Sequence, residues 1–349
     1  MVGPALGLAR GPERFFPFPS PDKGKKRKAA VEPLKRRKGA PMELKAKFLG
    51  SMVGSALGDA IGEMAFHLRT REALVEAVDR AEVLSYTDDT AMAIGLAESL
   101  LRMSRVDQDD LGRTFERNYL REPWRGYASG PPTVFAMVNR LGISYTEAAR
   151  RLFGGSGSLG NGAAMRVGPV GLFFHDSGEL YAQACASAEV THAHPVGKDG
   201  AAVQALAVGK ALRLDPTSGF SGVRFAMELA SLARTREIKG KMEAVARLLE
   251  GGIGPAEAAR TLGKGVAVDE SMPFAIYSFL RHPHSFVECL LCAVLNGGDR
   301  DTLGAMACAI SGAYLGVEGI PLEWARKLEN RSIIEDLGMR LLEIRGPGN

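Results

Sequence analysis

Apolar side chains in this chain recur every three to four residues, and that spacing is the strongest limit on what it can fold into. After Thr90 they fall at Met92, Leu96, Leu100 and Met103, and after Thr302 at Leu303, Met306, Ile310 and Tyr314. A stripe with this period can be buried as one face of an α-helix. The same pattern predicts helices over 198–212, 240–250, 256–262, 273–281 and 285–295. No convincing run alternates apolar and polar residues as a half-buried strand would, and no internal repeat is found. Small residues at Gly54, Gly58 and Gly62 mark one helix face suited to close packing. The expected fold is all-α, a single compact multi-helix domain over residues 42–349 with its loops gathered at one mouth.

Residues 1–41 do not fit that domain. They are rich in Pro, Gly and basic residues, including Lys25-Lys26-Arg27-Lys28 and Lys35-Arg36-Arg37-Lys38. Such a stretch cannot bury a core, so a disordered basic N-terminal tail is expected. The net charge of the whole chain is +4, yet this tail alone carries +8. The remaining residues are therefore acidic overall, and nucleic acid would be a partner only through the tail. No apolar run reaches the length that spans a bilayer, and the N-terminus lacks the apolar core of a secretory leader, so no membrane partner and a cytoplasmic location are expected.

Two acidic clusters carry the chemistry. Thr87-Asp88-Asp89-Thr90 and Asp299-Arg300-Asp301-Thr302 stand more than two hundred residues apart, each at the head of a helical stripe. One such cluster is explained by helix capping, with a hydroxyl or carboxylate at the first position and acids in the first turn. Two clusters of matching make-up, each followed by small residues, suggest a shared site. Carboxylates brought together away from water repel or take up protons unless a cation joins them. Oxygen-only ligands suit a hard ion such as Mg²⁺, Mn²⁺ or Ca²⁺ rather than zinc.

The loop Gly154-Gly155-Ser156-Gly157-Ser158-Leu159-Gly160-Asn161-Gly162 holds five glycines in nine residues. Glycine lets backbone N–H groups approach an anion, and a helical run from Ala163 would add a favourable dipole. The spacing formally spells a dinucleotide-binding pattern, but Tyr145–Phe153 before it reads as helix, not strand, which excludes that fold. Asp59 and Glu63 lie along the small-residue helix, and Glu63 is placed to reach a pocket. The pairs His192/His194 and His282/His284 lack the further ligands zinc needs. Cys289 and Cys292 sit in an apolar helical run with Cys308 in another, as small buried hydrophobes would.

These residues carry a resemblance. The chain resembles the ADP-ribosylglycohydrolases, which include the dinitrogenase reductase-activating glycohydrolase and the ADP-ribosyl-serine hydrolases. The matching segments run in order over roughly residues 45–345. They are Gly54–Gly62, Tyr86–Thr90, Arg125-Gly126-Tyr127, Gly157–Arg166, Thr191-His192, Glu270-Ser271-Met272-Pro273 and Gly297–Thr302, completed by Gly312-Ala313-Tyr314 and Ile320–Trp324. The Arg-Gly-Tyr, Gly-Ser-x-Gly-Asn-Gly and Glu-Ser-x-Pro pieces are most similar to the ADP-ribosyl-serine branch.

The resemblance implies two Mg²⁺ ions, with Mn²⁺ as a substitute, held by Thr87, Asp88, Asp89, Asp299, Asp301 and Thr302. It implies that Gly157, Ser158, Gly160, Asn161 and Gly162 cradle the diphosphate and adenosine side, that Phe153 stacks on adenine, and that His192 lies near the distal ribose. Catalysis would fall to Glu63, Asp89 and Asp301. The substrate would be an ADP-ribosylated protein, modified on Ser or Arg, or O-acetyl-ADP-ribose, cleaved at the distal C1″, and the enzyme would be a monomer. Three positions depart from the family pattern. Phe66 stands where a mobile glutamate is usual, so Glu63 would have to serve or that role is lost. Arg300 replaces a Thr between the second pair of acids, where its guanidinium would tune the site or bind phosphate. Leu159 stands where the serine branch often has an aromatic. The alternative to hydrolysis is a non-catalytic ADP-ribose- or metal-binding module, or a hydrolase of another ADP-ribose-like nucleotide.

Overall fold

The computed structural model describes residues 43–345, so the expected tail over 1–41 lies outside the described residues. Every element among them is helical; two isolated bridges, Leu84 with Leu328 and Gly160 with Ala267, are the only strand-like pairings there. The segments expected to be helical are so, with small changes at their starts. The stretch over 198–212 belongs to a helix running Pro195–Arg213, because His194 caps it and Pro195 fits its first turn. The stretch over 273–281 begins earlier, at Val268, and holds Pro273 inside it. Its first turn carries Asp269 and Glu270, which favour a helix start; Pro273, sixth in the helix, forgoes one backbone donor.

At the centre Leu44–Ala65 packs against Arg300–Leu315, and the contact is backbone on backbone. A Cβ on Gly50 would fall 2.4 Å from the Gly312 carbonyl oxygen, one on Gly58 2.1 Å from that of Gly304, and one on Gly62 2.4 Å from that of Arg300. Residue numbers rise along one helix as they fall along the other, so the two run antiparallel. The small-residue spacing at 54, 58 and 62 thus faces the helix headed by the second acidic cluster. Only glycine permits this approach, and it fixes the axial position of each helix against the other.

Around this pair the remaining helices bury a continuous apolar core that includes Phe48, Leu57, Ile61, Phe274, Tyr277, Phe279 and Tyr314. Cys289, Cys292 and Cys308 are buried in it, as expected of small hydrophobes. No helix among the described residues is long and apolar enough to cross a membrane.

Candidate active site

The first acidic cluster opens the helix Asp88–Met103, with Thr87 as its N-cap. The local order comes from Asp59, fully buried on Leu44–Ala65 between Gly58 and Gly62. Its carboxylate accepts hydrogen bonds from the Thr87 backbone (3.0 and 3.1 Å) and hydroxyl (2.8 Å), and from the Thr90 backbone (3.0 Å) and hydroxyl (2.6 Å). Burial pushes the Asp59 carboxyl up to about 6 against the lowering effect of these donors. Asp59 therefore acts as a cap supplied from a neighbouring helix.

The other side of the cluster is held by Arg125. Its carbonyl accepts from the Asp88 backbone N–H at 2.8 Å. Its guanidinium lies 4.2 Å from the centre of the Tyr86 ring, donates to the Tyr86 carbonyl at 3.0 Å, and forks onto Glu329 (2.7 and 2.8 Å) and Glu122 (3.0 and 3.1 Å). A planar fork with five donors can serve these partners together.

The second cluster opens Arg300–Leu315, with Asp299 at the N-cap position. Gly297 and Gly298 both have φ above +80°, and a Cβ on Gly298 would fall 1.9 Å from the Lys264 carbonyl oxygen. That tight turn delivers Asp299, whose N–H donates to the same carbonyl at 3.0 Å and whose Oδ2 accepts from Asn161 Nδ2 at 2.7 Å. Asp301 Oδ1 accepts from the Thr302 backbone at 2.8 Å.

The two clusters meet. Asp88, Asp89, Asp299, Asp301 and Thr302 line one cavity of about 520 Å³ together with the glycine-rich loop, Phe153 and His192. That volume falls within the usual range for small-molecule sites. Burial raises the carboxyl of Asp88 to about 7, with the charge of Asp59 the next cause. Asp301 is raised to about 8 by burial and then by the charge of Asp299. Asp89 is raised well above its usual value by burial and then by Asp301. Its Oδ2 is buried and has no hydrogen-bond partner among the described residues. A lone buried carboxylate oxygen among mutually repelling acids is a donor set that a hard divalent ion would satisfy. The acids share the cavity without closing on one point: no group of three or more His, Cys, Asp or Glu among the described residues is spaced to hold an ion. Mutual repulsion acts in that direction. Thr87 is not among the lining residues; its hydroxyl donates to Asp59 and accepts from the Asp89 N–H at 3.4 Å.

The glycine-rich loop forms another wall. The helix Tyr145–Gly155 breaks at Leu152, and Phe153 takes φ +51° and is 68% exposed at the cavity. The loop is stitched to 266–268 by Asn161 N–H to the Val266 carbonyl (2.9 Å) and Val268 N–H to the Leu159 carbonyl (3.0 Å). Gly160 N–H is taken by Ser158 Oγ at 3.1 Å, and Gly157 N–H by the Leu152 carbonyl at 3.0 Å. The backbone donors of Gly157, Gly160 and Asn161, expected to face an anion, are therefore engaged within the protein. The helix expected from Ala163 is a single turn, Gly162–Met165, so its dipole is correspondingly small. It stops because Arg166 folds back onto the Gly162 carbonyl at 3.0 Å and a new helix, Gly168–Phe173, starts with Pro169 in its first turn. Gly162 is required by its neighbour: a Cβ there would fall 2.8 Å from the His192 ring.

His192 lines the cavity, while His194 caps Pro195–Arg213 by accepting from the Val196 N–H at 3.2 Å. Two expectations change. Arg300 does not turn to the acids; its guanidinium donates to the Val294 carbonyl at 2.7 Å, because the end of Phe286–Leu295 offers carbonyls without helical partners. Glu63 is exposed and outside the lining, though its charge helps to raise Asp301, and Phe66 closes the same helix, half-buried. Residues whose part could not be read from the sequence are Asp59, Arg125 and Arg166, all within matched segments, and Val266, which also lines the cavity and for which no sequence signal exists.

A helical body here gathers paired acids beside a glycine-rich wall, an arrangement suited to a hard divalent ion and a small polar ligand. The model of the ADP-ribosylglycohydrolase family matches residues 40–348, and the chain belongs to that family of enzymes. It is 35% identical over 326 residues to the ADP-ribosylhydrolase ARH3 of Mus musculus, covering 81% of this chain and 88% of that protein. It is equally similar, 35% over 340 residues, to ADP-ribosylhydrolase ARH3 of Xenopus tropicalis, covering 86% and 95%. A solved structure described as an ADP-ribosylglycohydrolase-related protein complex superposes with a TM-score of 0.67 at 26% identity, over 87% of this chain and 99% of that one.

Proposed function

We propose that this enzyme is a magnesium-dependent hydrolase that releases ADP-ribose by cutting the distal C1″ bond to a protein Ser or Arg side chain, or to acetate in O-acetyl-ADP-ribose. The observation that carries this reading is the unpartnered Asp89 Oδ2 among buried acids that share a cavity with the glycine-rich wall.

Asp88, Asp89, Asp299, Asp301 and Thr302 would hold two Mg²⁺ ions, or Mn²⁺ in their place, with Thr87 kept beside them by Asp59. When bound, these ions supply positive charge for the ribose hydroxyls and bring a water's pKa toward neutrality. Asp59 and Arg125 keep the first pair of acids in place, and Asn161 orients Asp299. Phe153, Leu159 and Val266 offer exposed apolar surface in the cavity wall for the base. His192 faces the sugar. Bond cleavage builds oxocarbenium-like charge on the ribose, and the acids facing the cavity stabilise it. An acid facing the cavity, Asp89 or Asp301, would take the proton of the attacking water. Glu63, outside the lining, influences this through the charge it sets on Asp301.

A panel of Ser-linked, Arg-linked and acetyl-linked ADP-ribose substrates, assayed with Mg²⁺ and with EDTA, tests the reading. Release of ADP-ribose from at least one substrate with Mg²⁺, and its loss in EDTA, is expected. Turnover unaffected by EDTA would overturn the metal requirement.

A further inference from the structure

Arg166 is fully buried, and so is Thr191. Arg166 Nη2 donates to Thr191 Oγ1 at 2.7 Å, and Thr191 Oγ1 lies 2.8 Å from His192 Nδ1. A guanidinium has donors only, so the hydroxyl oxygen must accept from it. The hydroxyl then has its own proton to place. Among the described residues the one other partner of Thr191 Oγ1 is His192 Nδ1. Were Nδ1 protonated, the oxygen would accept twice and the buried hydroxyl proton would have no acceptor, a costly arrangement. The proton therefore points at Nδ1, which must be bare.

We propose that Arg166 and Thr191 are positioning residues that lock His192 as the neutral tautomer with its proton on Nε2, making it a hydrogen-bond donor to an oxygen lone pair of the bound nucleotide sugar. The placement of Nε2 agrees. That edge of the ring faces the cavity wall, where a Cβ on Gly162 would fall 2.9 Å from Nε2 and one on Gly160 3.5 Å. Nε2 has no hydrogen-bond partner among the described residues, and His192 lines the cavity. The neutral form is also the one this environment favours, since burial and the charge of Arg166 push the imidazole down to about 3. The role of the bound sugar rests on the function proposed above; the tautomer does not.

Nitrogen NMR of the full-length protein, with ¹⁵N-labelled histidine at neutral pH, decides the point. The expected spectrum shows His192 Nδ1 bare and Nε2 protonated. A protonated Nδ1, in either the other tautomer or the imidazolium, overturns the proposal. Thr191→Val keeps the side-chain shape and removes the relay. It should lose the single-tautomer signature and weaken binding of ADP-ribose about tenfold, while Thr191→Ser restores both. A Thr191→Val protein that keeps the wild-type spectrum and affinity would show that the relay does not set the tautomer, whatever happens to its melting temperature. Should Thr191→Val fail to fold, the wild-type and Thr191→Ser spectra still decide. Wild-type protein that binds no ADP-ribose would refute the reading of the cavity, and the nitrogen spectrum would still test the tautomer.

Discussion

Thr90 donates to Asp59 Oδ2 twice, from its backbone at 3.0 Å and from its hydroxyl at 2.6 Å, although the residues belong to different helices. One buried carboxylate on the central helix thereby sets where the acids Asp88 and Asp89 begin. Asp59→Ala leaves up to four donors of Thr87 and Thr90 unpaired in the interior. A loss of about 3 kcal/mol or more in unfolding free energy is expected in denaturant titration. Mg²⁺ should then protect the variant against heat less than it protects the wild type.

Gly58→Ala and Gly304→Ala each place a Cβ 2.1 Å from a backbone oxygen of the facing helix, and backbone cannot rotate aside. Both should destabilise by at least about 3 kcal/mol or fail to fold. Gly240→Ala provides the contrast. It lies inside the helix Arg236–Glu250 with nothing within 4 Å of the new methyl. There the gain in helix propensity should raise stability by about 0.5–1 kcal/mol. Equal losses at all three sites in the same melts would refute the close helix contact.

Asp301→Ala should lose turnover with Mg²⁺ by at least about a thousandfold, as removal of a charged group from the reacting site does. Glu63→Gln should cost much less, because Glu63 is exposed and acts through Asp301. Steady-state rates for the two variants side by side check both. Wild-type rates for Asp301→Ala would end the metal-based mechanism, and wild-type rates for Glu63→Gln would remove Glu63 from the reaction.

Stability should depend on pH in a way that Mg²⁺ reverses. Burial, with neighbouring negative charge, pushes the folded carboxyls of Asp88 and Asp301 up to about 7 and about 8, against about 4 unfolded. A raised folded pKa gives a stabilising contribution that is complete below about pH 4 and is lost as pH rises through about 7 and 8. Melts in EDTA and in excess Mg²⁺ should therefore diverge between pH 5 and 8.5, with the Mg²⁺ advantage growing toward alkaline pH. The neutral, buried His192 acts with the opposite sign at acid pH but equally in both buffers, so the difference between the curves isolates the carboxylates. Parallel curves would count against a cation among these acids.

Much of this architecture was legible because two patterns are local. Apolar period gave the helices, and the spacing of Gly54, Gly58 and Gly62 gave the face that packs against Arg300–Leu315. The acids were visible as helix starts, and their meeting follows from that contact. What could not be read was direction. Arg300 stands between two acids yet turns to the Val294 carbonyl, because a helix end nearby offers unpaired acceptors. The N–H groups of Gly157 and Gly160 are taken by Leu152 and Ser158 within the loop's own neighbourhood, and that of Asn161 by Val266, about a hundred residues away. Asp59 looked like one more helix acid, and only the fold shows that its partners are Thr87 and Thr90.

The glycine seam between Leu44–Ala65 and Arg300–Leu315 works as a ruler. Slipping either helix by one residue would shift Asp301 about 1.5 Å along the axis and swing it roughly 100° around it. Spacing between the acids is thus gauged by main chain alone. The rim is under no such constraint: Phe153, Leu159 and Val266 are exposed at the cavity, so the grip on the base can be altered there without moving the acids beneath.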